Sequence, residues 1–406
     1  MKVLQIADSV NWGSIGKIAS QIGDTILEQG GESYIAYGRY QLPSSSQSIR
    51  IGTKVELYWH VLMTRLFDKH GLCSKWSTYR LIKKIEKINP DIIHLHQIHG
   101  YFLNYEILFD YLKKSQKPVV WTMHDCWAIT GHCAHFVMEN CNKWQTGCYK
   151  CINKKKYPNS IFKDNSKENY IRKKNAFTSL SSLYVVPVSY WLGDLMKQSF
   201  LKPYPIKVIH NGIDINTFRP RDIEREALGL SNDFLILGVS FIWSDSKGLN
   251  DFFLLRKKLP MNYKILLIGL TDKQIELLPE GIIGIKKTHN VEELAKYYST
   301  ANVFVNLTKC DTYPTVNLEA MACGTPVITY KTGGSPECIS DNNGYVAEQG
   351  KIDEVIDYIK KIQNENSMDL KSICRSYAEK HFDKKKSFAN YLSLYKELLN
   401  QNTKVD

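Results

Sequence analysis

The stretch from Asn306 to Glu337, NLTKCDTYPTVNLEAMACGTPVITYKTGGSPE, leaves little freedom in how it can fold. It opens at the end of a short apolar and β-branched run, Ala301 to Leu307, of the kind a parallel strand buried on both faces requires. A polar turn, Lys309 to Tyr313, follows. Pro314 then fits the first helical position, where its missing N–H costs nothing. Gly324 fits the left-handed position just past the helix end, and Pro326 blocks continuation. Pro326 to Tyr330 reads as the next strand, and Thr332 to Glu337 as a Gly-rich turn entering another helix. Both turns fall at the C-terminal ends of strands, the edge at which open α/β sheets bind ligands. Helix N-termini there present N–H groups and partial positive charge, which suits a phosphate. Asp311 in the turn and Glu319 in the helix can both reach a ligand lying across the helix start.

The rest of the chain alternates in the same way. Lys2 to Ala7, Ser33 to Tyr37, Asp91 to Leu95, Pro118 to Met123 and Leu183 to Val188 read as strands, with helical stretches between them. Phe234 to Ser240, Lys264 to Ile268, Gly281 to Ile285 and Asn302 to Asn306 repeat the pattern. The expected fold class is α/β, with doubly wound parallel sheets. A chain of 406 residues has room for two domains of ordinary size. Their expected limits are 1–205 and 206–382, with a C-terminal helix over 383–406 and a Cys-rich insert over 126–165 in the first domain. No apolar run approaches the roughly 18 residues that cross a bilayer, and the apolar start is too short for a signal peptide. The expected location is the cytoplasm.

The formal charge is +12, and it is lopsided. Residues 1–205 hold 27 Lys+Arg against 15 Asp+Glu, whereas residues 206–406 hold 26 of each. The densest part runs from Lys150 to Lys174. A one-sided basic surface suits an anionic partner, such as anionic lipid or a pyrophosphate-linked acceptor. The competing reading is a solvated basic face. Nucleic acid is not expected, because no nucleic-acid-binding motif accompanies the charge.

Cys133, Cys141, Cys148 and Cys151 fall in one window with spacing C-x7-C-x6-C-x2-C. Disulfides are not expected in a reducing cytoplasm. Four thiolates could instead close a tetrahedral structural zinc site, with His132 or His135 as substitute ligands. The alternative is four unconnected thiols. His94, His96, His99 and His124 end two neighbouring strands. The turn after the first strand carries Gly13-x-x-Gly16, a weak phosphate signal taken alone.

Asp311-x7-Glu319, followed by Ala-Met-Ala-Cys-Gly-Thr-Pro-Val and then Gly-Gly-x-x-Glu, resembles the nucleotide-sugar site of retaining GT-B glycosyltransferases of family 4. The family's first carboxylate is usually Glu; here it is Asp311, one methylene shorter. The segment Ile206 to Phe218 resembles the family's domain crossover. The resemblance implies two Rossmann-like domains facing a cleft, a nucleotide-sugar donor, and a glycan or lipid-linked glycan acceptor at the inner membrane face. It implies no cofactor for catalysis. Gly13, Ser14 and Gly16 match the loop that approaches the donor. His124 matches the histidine at the sugar-binding edge. Lys247 matches a lysine that neutralises the pyrophosphate, while the family's partner arginine falls on Phe241. Thr315, Val316, Gly333 and Gly334 would offer N–H groups to the phosphates, Glu319 would hold the ribose, and Asp311 would face the sugar. A nucleotide-sugar epimerase and a non-catalytic binding subunit are the competing readings.

Overall fold

The computed structural model describes residues 1–221, 233–365 and 367–402. The chain divides into two compact units. One takes in Met1–His210 and, from Phe388 on, the C-terminal helix; the other is Asn211–Ser387.

The first unit begins with β1 (Lys2–Ala7), α1 (Gly13–Glu28), β2 (Glu32–Tyr37) and β3 (Gln47–Arg50). Then come α2 (Lys54–Phe67), α3 (Lys75–Ile88), β4 (Ile92–Leu95), α4 (Tyr105–Ser115) and β5 (Val119–Met123). The Cys-rich insert follows, then α5 (Ser166–Phe177), β6 (Leu183–Pro187) and α6 (Tyr190–Gln198). The strands form one parallel sheet in the order β3-β2-β1-β4-β5-β6, with Leu4 opposite both Tyr34 and Ile93. The order reverses between β1 and β4, which opens a crevice at their C-terminal ends. Local chemistry sets the helix starts. Thr53 and Glu56 form a reciprocal capping box on α2, and Asn104 Oδ1 accepts from Ile107 N–H on α4. β3 lies in what reads from the sequence as a Ser-rich loop. It is short and half-exposed at the sheet edge, so it carries no apolar run to announce it.

The second unit contains β7 (Phe234–Val239), α7 (Leu249–Lys258), β8 (Tyr263–Ile268), α8 (Asp272–Glu276) and β9 (Ile282–Ile285). It continues with α9 (Val291–Thr300), β10 (Val303–Asn306), α10 (Thr315–Ala322), β11 (Val327–Tyr330) and β12 (Gly344–Ala347), then α11 (Ile352–Asn364) and α12 (Ser367–His381). Its parallel sheet runs β12-β11-β10-β7-β8-β9, reversing between β10 and β7. Two details differ from expectation. Pro314 stands just before α10 with extended backbone (φ −71°, ψ 112°), so the helix starts one residue later. Ser335–Cys338 is a single 3₁₀ turn rather than a full helix. Gly324 does take the left-handed conformation (φ +82°) that ends α10.

The final helix, α13 (Lys384–Asn402), is amphipathic, and its aromatic side completes the core of the first unit. Phe388, Tyr391, Leu392, Tyr395 and Leu398 pack with Val3, Ile22, Ile92 and Val120. The two tyrosines are buried and need partners for their hydroxyls. Thr122 Oγ1 donates to Tyr391 at 3.1 Å, and the Tyr395 hydroxyl meets His94 Nδ1 at 2.6 Å. Because Thr122 Oγ1 donates to Tyr391, it accepts from His94 Nε2–H at 2.7 Å. His94 Nδ1 therefore holds the lone pair and Tyr395 donates to it. Burial keeps this imidazole neutral, with its pKa pushed down to about 3. Tyr395→Phe should leave that nitrogen buried without its donor and cost about 1–3 kcal/mol. Denaturant unfolding reads this directly; a wild-type midpoint with unchanged slope would mean that the bond contributes nothing.

Candidate active site

In the second unit three loops meet where the strand order reverses. They follow β7, β10 and β11, which are sheet neighbours. Lys309 N–H donates to Ser246 O at 2.8 Å, tying the β10 loop to the β7 loop. Thr332 Oγ1 donates to Thr308 O at 2.8 Å, tying the β11 loop to the β10 loop. Gly334 N–H donates to Asp311 O at 3.2 Å. At Gly333 the backbone has φ +54°, and a Cβ there would lie 1.8 Å from Asp311 O. The glycine is thus demanded twice, by conformation and by close approach.

These ties bring Lys247, Asp311, Thr315 and Val316 to one edge. Lys247 Nζ stands 2.7 Å from Asp311 Oδ2, both half-buried. Burial alone would lower the Lys247 pKa, but the adjacent Asp311 carboxylate outweighs it and holds it raised, so the side chain is an ammonium. From the sequence these two residues read as contacts to different parts of a ligand; here they hold each other. Thr315 and Val316 open α10, and the first N–H groups of a helix have no intrahelical acceptor. Glu319 lies one turn further on and accepts from the buried Tyr298 hydroxyl at 3.0 Å, a contact the sequence does not show. Of the Gly-rich turn, the Gly334 N–H is engaged with Asp311 O, which corrects the expectation that it faces a phosphate. Phe241, at the position of the missing arginine, is exposed. A second cation does enter the neighbourhood: Lys309 Nζ pairs with Asp245 at 2.9 Å and Asp251 at 3.2 Å. No motif marked it in advance.

In the first unit the loops after β1, β4 and β5 carry the polar groups. Gly13 and Ser14 are exposed at the start of α1, and Gly16 is buried with its O accepting from Asn11 N–H at 3.0 Å. A chain of hydrogen bonds fixes the histidines. Gln5 Nε2 donates to Ala19 O at 2.8 Å, so Gln5 Oε1 accepts from His96 Nε2–H at 2.9 Å. His96 Nδ1 must then accept from His124 Nε2–H, 3.2 Å away. This leaves the lone pair of His124 on Nδ1, and burial keeps the ring neutral with a pKa near 4. His99 Nε2 stands 2.9 Å from Asp125 Oδ2, and Tyr157 from the insert meets His99 Nδ1 at 3.2 Å. Burial would raise the Asp125 pKa, but the charge of His99 outweighs it and brings it to about 2. His94 belongs to the core, and His96 serves as the relay between Gln5 and His124.

The Cys-rich insert is ordered by polar contacts. Asp68, left-handed at the end of α2, takes His132 Nδ1 at 2.6 Å and Asn165 N–H at 2.9 Å. Lys173 is buried and donates to Trp127 O and Thr130 O at 2.7 and 2.9 Å. Cys133, Cys141, Cys148 and Cys151 are free thiols. Contact with the Cys133 thiol, then burial, raises the pKa of Cys151, and burial pushes Cys148 up to about 11. Among the described residues no three His, Cys, Asp or Glu side chains are grouped so as to hold a metal ion. The buried Asp68 and Lys173 networks order the insert through polar contacts.

The stitching of the loops makes a prediction. Gly333→Ala should push the β11 loop away from Asp311, with backbone strain alone on the order of 1–3 kcal/mol. Gly350→Ala, also at positive φ (+80°) but with nothing within 4 Å of its Cβ, isolates the strain. Thermal midpoints should fall further for Gly333→Ala than for Gly350→Ala; equal shifts would show that the approach to Asp311 is not tight.

Two family models match this chain, Glycosyltransferase Family 4 over residues 21–217 and Glycosyl transferases group 1 over residues 221–381. The putative colanic acid biosynthesis glycosyl transferase WcaC of Escherichia coli is 23% identical over 380 residues, covering 89% of this chain and 90% of that protein. Among solved structures, sucrose-phosphate synthase from Thermosynechococcus elongatus aligns with a TM-score of 0.71 at 16% identity, covering 98% of this chain and 99% of the other. Anabaena HepE in complex with UDP aligns at 0.68 and 16% identity, covering 98% and 100%. The fold is shared with these structures, and the family domains are placed end to end over most of the chain. The protein is a glycosyltransferase of the GT-B fold, with a family 4 domain ahead of a group 1 domain.

Proposed function

We propose that this enzyme moves a sugar, with retention of anomeric configuration, from a nucleoside-diphosphate donor to a lipid-linked glycan acceptor in the making of a surface polysaccharide. The observation that carries the donor assignment is the ammonium of Lys247 beside the first turn of α10, at the sheet reversal of the second unit. Relatives support the polysaccharide setting and the class of donor. WcaC is named for colanic acid biosynthesis, and CapM of Staphylococcus aureus, 25% identical over 170 residues, for capsular polysaccharide biosynthesis. HepE has been solved with UDP and with UDP-glucose.

In this reading the bond between the anomeric carbon and the phosphate oxygen breaks with its electron pair on the β-phosphate, the acceptor oxygen bonds to that carbon, and the hydroxyl proton leaves to the nucleoside diphosphate or to solvent. Lys247 and the N–H groups of Thr315 and Val316 stabilise the charge that develops on that phosphate. Asp311 keeps Lys247 charged and aimed through Oδ2, while its Oδ1, which accepts from Tyr313 N–H at 3.3 Å, would meet the sugar. Glu319, braced by Tyr298, accepts from the ribose hydroxyls. In the first unit, Gly13, Ser14, Gly16 and His124 are the groups that would contact a sugar or phosphate, and burial keeps His124 neutral. Its depressed pKa makes it a hydrogen-bond acceptor at neutral pH.

Glu319→Gln should weaken nucleotide binding by roughly tenfold or more, because a hydrogen bond to a charged group is worth about 1.5–3 kcal/mol. Calorimetric titration with UDP, GDP and ADP tests this and identifies the base; wild-type affinity in the variant for the preferred nucleotide would remove Glu319 from the site. Lys247→Ala should lower turnover about a hundredfold, as loss of one anion-stabilising donor does. Proton NMR of the product supplies the stereochemistry. An inverted anomeric centre, or donor converted to an isomer with no acceptor present, would overturn the proposed reaction.

A further inference from the structure

Helix α2 is built inside out. Its buried positions are polar: His60 and Thr64 face the core. His60 is held there by Ser74 Oγ at 2.8 Å and by the Gly71 N–H at 3.0 Å. Its outer stripe is apolar. Val55, Tyr58, Trp59 and Leu62 recur at i, i+3, i+4 and i+7, one face of a helix. All four are exposed, Val55 by 77% and Trp59 by 58%. On α3 the pattern continues with Trp76, exposed by 76%, and Tyr79, their rings 6.4 Å apart. Arg80 on α3 binds both carboxylate oxygens of Glu56 on α2, at 2.7 and 2.8 Å, and joins the two faces.

Isolated surface aromatics need no explanation, but a stripe of this kind does. The charge around it says what covers it. Between residues 54 and 88 there are eight Lys or Arg against three acidic residues. One of those three, Asp68, is buried with the insert, and another, Glu56, is neutralised by Arg80. Lys75, Lys83, Lys84 and Lys87 stand exposed beside Trp76 and Tyr79. The insert extends the surface. Ile161 N–H donates to Arg65 O at 2.7 Å and Lys163 N–H to Leu66 O at 3.3 Å, which lays Ile161 and Phe162 against the end of α2. Phe162 is exposed by 69%, and Lys154 Nζ donates to its carbonyl at 3.2 Å. Large amphipathic rings and aliphatics ringed by ammonium groups match the boundary between lipid headgroups and acyl chains. A protein partner of ordinary polarity would give the lysines no counter-charge. Among the described residues no helix is long and apolar enough to cross a membrane, so this contact would be with one leaflet.

We propose that the outer face of α2 and α3, with the 161–163 segment of the insert, docks on an anionic lipid surface. The sugar-transfer reading does not enter this inference, and its test uses neither donor nor acceptor, so either can fail without the other. Sedimentation of the whole protein with phosphatidylglycerol-containing and with pure phosphatidylcholine vesicles reads the binding. Binding should be roughly tenfold or more stronger to the anionic vesicles and weaken as salt rises, since each lysine near such a surface contributes about one electrostatic increment that salt screens over about 8 Å. Tryptophan emission should shift to the blue on binding. Two variants separate the parts: Trp59→Ser/Leu62→Ser should lose the binding and most of the blue shift, and Lys83→Glu/Lys84→Glu should lose the preference for anionic lipid. All four side chains are exposed, so the thermal midpoint should stay near that of the wild type. Equal binding to both vesicle types, or no binding at low salt, overturns the proposal. So does a dimer in light scattering that Trp59→Ser/Leu62→Ser dissolves, because the face would then be the seat of a second copy.

Discussion

The ion pair between Lys247 and Asp311 is the interaction on which the proposed donor site depends. Lys247 is half-withdrawn from water, which lowers its pKa, and the carboxylate beside it more than offsets that. Asp311 can stand there because its own backbone is clasped: Gly334 donates to its carbonyl, and Gly333 has no side chain to hold that carbonyl off. The β10 loop is tied in turn to the β7 loop through Lys309 and Ser246. Position and protonation are therefore set before any ligand arrives, which is what electrostatic stabilisation of a leaving group needs.

The first unit uses hydrogen-bond direction where the second uses charge. His96 and His124 each have their tautomer set by a neighbour whose own direction is forced. Ala19 O orients Gln5, Gln5 orients His96, and His96 orients His124. His94, two residues from His96, is fixed from the other side by Tyr395 of the final helix. Burial removes the option of protonation, so the chain carries one arrangement at neutral pH.

Much of the fold was legible because alternation of apolar runs and turn residues repeats through both halves. Gly324 and the strand Val327–Tyr330 stand where punctuation puts them. The edge strands β3 and β12 were not legible, since both are short and half-exposed, whereas the edge strands β6 and β9 carry apolar runs. In the site, motif spacing brings Asp311, Glu319 and Lys247 into view, but spacing cannot say that Lys247 and Asp311 pair with each other. Nor can it show the Gly334 N–H engaged by Asp311 O, or Tyr298 behind Glu319, because these contacts join residues far apart in the chain. Cysteine spacing in the insert suggested a metal, whereas the ordering contacts come from Asp68 and Lys173, whose sequence surroundings resemble any helix end and any basic helix. The inverted face of α2 shows only in the folded chain: apolar residues at helical spacing ordinarily mark the buried side.

In the reaction we propose, the edge formed by the β7, β10 and β11 loops receives the donor's diphosphate. Hydrogen–deuterium exchange with and without UDP, GDP or ADP locates the contact without presupposing an acceptor. With the nucleotide that binds, protection should concentrate in 244–248, 311–319 and 332–335, the stitched loops and the first turns of α10. Protection confined to other parts of the second unit, with these segments exchanging as in the free protein, would contradict it.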